Sequence, residues 1–165
     1  MEMEEVFLLL GSNRGERRQI LERALALVGE RAGEVSQLSS LYETEPWGFE
    51  DAVPFLNQAA ALRTVREPLE LLGILQGIEE ELGRRRPVGG AGPYLPRTID
   101  IDILLWGGRV IRGSRLTVPH PRLALRRFAL VPLAEIAAEA VDPLTGLTVA
   151  RLLERCDDHG SVKRL

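Results

Sequence analysis

The spacing of apolar positions changes several times along the chain, and each change marks an element. Val6–Leu10 is a short unbroken apolar run, which predicts a buried strand ended by Gly11. Ser12 or Asn13 then stands where a helix cap belongs, ahead of Ile20, Leu21, Ala24, Leu25, Leu27 and Val28 at helical spacing. Val35–Glu45 reads as a strand with Leu38, Ser40 and Tyr42 alternating against Leu41, and "PWGFEDAVP" is a loop punctuated by Pro46, Gly48 and Pro54. Phe55–Thr64 is the next strand. Pro68, at a first-turn position, opens a helix bearing Leu71, Leu72, Leu75, Ile78 and Leu82, which Gly83 ends. The loop "RRRPVGGAGPYLP" leads to a strand in "PRTIDIDILLW", and Trp106-Gly107-Gly108-Arg109 predicts a hairpin turn to a short strand at Val110–Ile111. A loop, "TVPHPR", and short helices near Ala124–Arg127, Leu130–Ala138 and Val149–Cys156 complete the chain.

The order β-α-β-β-α-β is the split ferredoxin-like arrangement. The expected fold is α+β: a ferredoxin-like βαββαβ core with an antiparallel sheet, helices on one face, and short C-terminal helices. No repeat, low-complexity tract or linker divides residues 1–165, so a single domain is expected.

One strand breaks its own pattern. Asp100 and Asp102 interrupt Ile99, Ile101, Ile103, Leu104 and Leu105, and the period of 2 sets both carboxylates on one face, about 7 Å apart. Two such charges repel by roughly 0.6 kcal/mol in water and by about 2.4 kcal/mol at an effective dielectric near 20. A wet pair is therefore cheap, whereas a pair in a cleft needs a cation. Hard divalent ions, Mg²⁺ above all, are held by one or two carboxylates together with substrate phosphates. Solvated decoration and a metal site both fit the strand taken alone.

Charge placement bears on that choice. Residues 1–83 hold 7 Arg against 16 acids, a net of −9, whereas residues 84–127 hold 10 Arg against Asp100 and Asp102 alone, a net of +8. The Asp pair thus sits inside the one strongly basic segment of an otherwise acidic protein. Guanidinium forks match phosphate oxygens while carboxylates hold a metal, which suits polyphosphate with Mg²⁺; a basic surface for RNA is the competing explanation. The single Cys156 excludes an internal disulfide and a multi-cysteine metal site, and two histidines, His120 and His159, are too few for a His-rich zinc site. No apolar run approaches a membrane span, and "MEMEE" does not resemble a signal peptide, so a cytoplasmic protein is expected. "LLLGSNRG" lacks the endings of the phosphate-binding glycine motifs, so Gly11, Ser12 and Asn13 read as turn and cap, and a phosphate grip has to come from Arg side chains.

Six segments carry a family resemblance: "GSN" at Gly11–Asn13, "SSLYETEPWG" at Ser39–Gly48, "FLNQAAAL" at Phe55–Leu62, "QGIEEELGRRR" at Gln76–Arg86, "PRTIDIDILLWG" at Pro96–Gly107 and "LTVPHPRLALRRFALVPLAEIAAE" at Leu116–Glu139. The chain resembles, over nearly its whole length, the 6-hydroxymethyl-7,8-dihydropterin pyrophosphokinases of folate biosynthesis. The resemblance implies a Mg-dependent transfer of pyrophosphate from ATP to the pterin hydroxymethyl group, with AMP released, two Mg²⁺ ions on Asp100 and Asp102, and the two small-molecule substrates as partners. Neither nucleic acid nor membrane is expected to bind, and the protein is expected to be a monomer.

By the same resemblance, the ATP site takes Gln76, Glu79, Arg84, Arg86, Arg97, Ile103, Arg115, Thr117, His120 and Arg126, with Arg86 and Arg97 joining Asp100 and Asp102 as catalytic residues. His120 contacts the nucleotide phosphate or ribose, general base being the alternative role. Gln76 and Glu79 lie one helical turn apart and present one face, towards adenosine. Arg85, Arg109, Arg112, Arg122 and Arg127 read as surface. The pterin site takes Thr44, Glu45, Trp47, Phe55, Asn57, Tyr94, Asp100 and Phe128: Phe55 and Phe128 stack on the ring and Asn57 reads its edge. Asn57 has a standing of its own, because an amide within an apolar strand requires partners. The sequence departs from the family where Tyr94 stands for a common Trp, Phe55 for a Tyr, Trp47 for a Leu and Pro121 for a Tyr. The glycine-rich loop from Arg84 to Pro96 is expected to hinge over bound ATP.

Two readings from other classes compete. An RNA-binding ferredoxin-like module accounts for the fold and the basic segment but lacks the aromatic motif such sheets carry, and it leaves the Asp pair idle. A non-catalytic sensor domain leaves ten Arg around two Asp unexplained.

Overall fold

The computed structural model describes residues 2–13, 16–44, 54–83 and 99–165. Its centre is an antiparallel sheet in which β1 (Glu4–Ser12) lies between β4 (Phe55–Thr64) and β5 (Asp100–Trp106). β2 (Glu34–Leu38) and β3 (Tyr42–Thr44) both pair with β4, so the order is the 4-1-3-2 order of the ferredoxin-like arrangement.

Helix α1 (Arg17–Arg31) buries Leu21, Ala24 and Val28, and α2 (Pro68–Glu81) buries Leu71, Leu75 and Ile78, each set along one helical stripe. Both stripes pack on Val6, Leu8, Leu10, Leu62, Ile101, Ile103 and Trp106, on one face of the sheet. Pro68 sits in the first turn of α2, and Gly83, at φ 123, follows the C-cap Leu82, as its sequence position predicts.

The C-terminal helices cover the opposite face. A 3-10 turn (Leu123–Leu125), α3 (Arg127–Ala137) and α4 (Val149–Glu154) bring Leu123, Leu130, Leu133, Val149 and Leu152 onto Phe7, Leu9, Ala61 and Leu105. With helices on both sides, β1 is buried from Val6 to Ser12, which is why its sequence is continuously apolar rather than alternating.

Four local expectations are corrected. β1 runs through Gly11 to Ser12, and α1 begins at Arg17 with Glu16 as N-cap, so neither Ser12 nor Asn13 caps that helix. The strand expected over 35–45 is two strands, because the hydroxyl of Ser39 accepts the Ala59 N–H at 2.9 Å where a backbone carbonyl would otherwise serve. Arg109 N–H closes the Trp106 turn onto the Trp106 carbonyl at 2.9 Å, but β6 (Ile111–Arg112) pairs with β7 (Thr117–Val118) rather than returning along β5. A further strand, β8 (Val162–Arg164), covers the free edge of β3; three residues with Lys163 and Arg164 give no alternation to read. The loop from Arg84 to Pro96 lies outside the described residues.

Candidate functional site

β5 is an edge strand, held at two points on its outer side. The buried Glu79 carboxylate of α2 accepts the Ile101 N–H at 2.9 Å, and the His120 N–H donates to the Leu104 carbonyl at 2.9 Å. A bulge sits at the second of them: Leu8 faces Ile103 and Phe7 faces Leu105, leaving Leu104 as the extra residue. Asp100 and Asp102 fall just before it. They are half-buried, and their register partners Gly11 and Leu9 place both on the α3 face, as the period of 2 predicts.

Inward from Asp100, Gly11 of β1, Asn57 of β4 and Tyr42 of β3 stand in one cross-strand row. Asn57 is buried, and its amide donates to the Thr44 hydroxyl at 2.7 Å. Burial, and then the Glu135 carboxylate, push the Tyr42 hydroxyl up to about 12, so it stays protonated and donates to Glu135 of α3. That bond ties the row to α3, whose first turn carries half-buried Phe128; Phe55 is half-buried at the start of β4.

Outward from Asp102, a cavity of about 270 Å³ opens along the edge of β5, lined by Leu72, Ile101, Asp102, Ile103, Gly113, Ser114, Arg115, Leu116, Thr117, His120 and Pro121. Burial, then the charges of Arg126 and Arg122, push His120 down to about 4. The imidazole is therefore neutral near pH 7, and since Nδ1 accepts the Arg122 N–H at 3.2 Å, the ring proton sits on Nε2. Arg126 is half-buried over the Phe128 ring, 5.4 Å from its centroid. Burial lowers its pKa, against the pull of Asp102 and, more weakly, Asp100, so its guanidinium stands in the field of both carboxylates.

Asp100, Asp102, Ile103, Arg115, Thr117, His120 and Arg126 thus gather about β5, and Thr44, Asn57 and Asp100 about the inner row. Glu45, Trp47, Arg84, Arg86, Tyr94 and Arg97 lie outside the described residues. Gln76 and Glu79 do not share an environment: Gln76 is exposed, whereas Glu79 is buried against β5. Arg122 is exposed, as expected, while its backbone N–H and its charge act on His120; Arg127, also expected on the surface, is half-buried with its guanidinium on the Gly160 carbonyl at 3.3 Å. Leu72 and Leu116 on the cavity wall carry no sequence signal, because an apolar wall residue looks like core.

Comparison with known proteins decides the family. The family described as 7,8-dihydro-6-hydroxymethylpterin-pyrophosphokinase matches residues 7–138. The chain belongs to this family. Its activity is accordingly the family's pyrophosphokinase reaction in folate biosynthesis. A 2-amino-4-hydroxy-6-hydroxymethyldihydropteridine pyrophosphokinase of Bacillus subtilis is 46% identical over 81% of the chain and 78% of its own length. The protein of that name from Aquifex aeolicus is 39% identical over 86% of each. Among solved structures, an HPPK-DHPS chain of Plasmodium falciparum superposes with a TM-score of 0.76 at 19% identity. That match covers 93% of the present chain but 43% of the Plasmodium one, and it supports the pyrophosphokinase fold alone.

Proposed function

We propose that the protein transfers pyrophosphate from ATP to the hydroxymethyl group of 6-hydroxymethyl-7,8-dihydropterin in a Mg²⁺-dependent reaction, releasing AMP, and that residues 1–165 do so as a single domain. One observation carries the site assignment: the Asp pair stands between two differently furnished regions, a buried amide–hydroxyl pair inward and, outward, a cavity whose polar lining includes Arg115, Thr117 and His120. The inner row suits a flat heterocycle with a hydrogen-bonding edge, and the cavity suits a nucleotide.

The donor set fits Mg²⁺. Two half-buried carboxylates on one strand are hard oxygen donors of the kind that hold this ion together with substrate phosphates. Among the described residues there is no cluster of three or more His, Cys, Asp or Glu. Asp100 and Asp102 would hold the metal, as two ions; when bound it supplies charge neutralisation at the phosphate oxygens and activation of the attacking hydroxyl.

The chain's own residues supply positioning and charge. Arg126, beside both carboxylates, meets the phosphates from the α3 side. His120, neutral with its proton on Nε2, donates to phosphate or ribose oxygen; a ring whose pKa lies near 4 is a weak base, which supports contact over proton abstraction. Arg115 and Thr117 close the outer wall, and Arg84, Arg86 and Arg97 complete the phosphate grip. Thr44 and Asn57 orient the pterin edge, with Phe55, Phe128, Glu45, Trp47 and Tyr94 around the ring. Gln76 faces adenosine. The protein is proposed to act as a cytoplasmic monomer; among the described residues no helix is long and apolar enough to cross a membrane. Calorimetric titration with an unreactive ATP analogue tests the site: tight binding with Mg²⁺ and weak binding in chelator is expected, and equal affinity in both overturns the metal assignment.

A further inference from the structure

We infer that Gly11 is a positioning residue, which sets the orientation of the Asn57 amide. Glycine inside a central strand is costly, by roughly 0.5–1 kcal/mol relative to Ala, and asks for a local reason. Conformational need does not supply one: the described glycines with positive φ are Gly83, Gly107 and Gly146, and Gly11 is a regular strand residue paired on both sides. It neither turns the chain nor caps α1.

Contact does supply one. A Cβ built on Gly11 would lie 2.4 Å from Asn57 Oδ1, where ordinary contact begins near 3.4 Å. The amide oxygen would have to retreat by about 1 Å. It has little room to do so, because Asn57 is 3% exposed and its Nδ2 is committed to Thr44 Oγ1 at 2.7 Å, with Thr44 itself buried. Any side chain at position 11 therefore turns the amide or breaks its bond to Thr44. An amide reads a heterocycle edge by presenting its donor and its acceptor in fixed places, so a turned amide presents the wrong pattern. Asn57 and Asp100 flank Gly11 directly, about 10 Å apart across two strand spacings.

This inference rests on reading Asn57 as the pterin edge-reader, and its test separates the two. Affinity for 6-hydroxymethyl-7,8-dihydropterin is measured with Mg²⁺ and the unreactive ATP analogue present, for wild type, Gly11→Ala, Asn57→Ala and the double variant. Affinity for Mg²⁺–nucleotide alone is measured in parallel. Gly11→Ala is expected to weaken the pterin by about 10- to 100-fold while leaving nucleotide affinity within about 2-fold, and to add less than about 2-fold to the defect of Asn57→Ala. Should Gly11→Ala fail to fold, recovery of a folded double variant with wild-type nucleotide affinity carries the same steric coupling. Wild-type pterin affinity in Gly11→Ala, or an undiminished penalty in the Asn57→Ala background, overturns the inference. Absence of pterin binding to the wild type overturns the underlying functional reading instead.

Discussion

Replacing Asp102 by Asn changes one charge and almost no volume, and it separates the roles of the pair. The two carboxylates, about 7 Å apart on β5, repel by roughly 2.4 kcal/mol at an effective dielectric near 20. Arg126 stands in the field of both and opposes that repulsion, with Asp102 the stronger partner. Removing one carboxylate relieves the repulsion but loses its share of Arg126; the two changes oppose each other, and the free protein is expected to stay folded, within about 2 kcal/mol of the wild-type stability. Turnover behaves differently. A metal ligand lost from a phosphoryl-transfer site removes several kcal/mol of transition-state stabilisation, and about 4–5.5 kcal/mol corresponds to a loss of roughly 10³- to 10⁴-fold. Asp100→Asn follows the same logic. The assay pairs thermal unfolding in chelator with steady-state turnover over a Mg²⁺ series. Near-normal, Mg²⁺-dependent turnover in both variants refutes the reasoning, and so does a loss of activity that merely tracks a loss of stability.

Three further outcomes follow from the geometry. Glu79→Leu leaves the Ile101 N–H without its buried acceptor and costs about 1–3 kcal/mol in urea unfolding, whereas Glu79→Gln keeps an acceptor and costs less; equal costs contradict the edge clamp. His120 has a folded pKa near 4, below its unfolded value near 6.5, so the unfolded chain binds more protons between them. Stability of the free protein is therefore full above pH 6.5 and falls as pH drops towards 4, and His120→Gln flattens that limb of the melting-temperature profile; an unchanged limb contradicts the assignment. Pterin is expected to bind weakly alone and to tighten when Mg²⁺–nucleotide analogue is present, with reciprocal tightening of the nucleotide by the same factor; calorimetry giving equal pterin affinity in both states refutes a site completed by nucleotide.

Elements with a strong period were legible in the sequence. The stripes of α1 and α2 and the continuous apolar run of β1 announced two helices and a central strand, and the interrupted apolar run of β5 announced a carboxylate pair on one face. Less visible was whatever depends on partners distant in the chain. The break between β2 and β3 rests on a Ser39 hydroxyl replacing a ladder bond to Ala59, twenty residues on, and β8 exists because β3 has a free edge to cover. Glu79 looked like one half of a polar helix face and is instead a buried acceptor, a distinction that the Ile101 N–H makes and the helix sequence does not. Gly11 suggested a turn because glycine usually does; its neighbour across the strand, Asn57, supplies the other explanation.

The central claim is that the two carboxylates serve pyrophosphoryl transfer rather than nucleotide binding alone. Phosphorus NMR of a reaction containing ATP, 6-hydroxymethyl-7,8-dihydropterin and Mg²⁺ tests it most directly. Stoichiometric appearance of AMP and a dihydropterin diphosphate, abolished in Asp100→Asn and Asp102→Asn, is the expected result. Formation of ADP with a pterin monophosphate, or unchanged product formation in either variant, would contradict it.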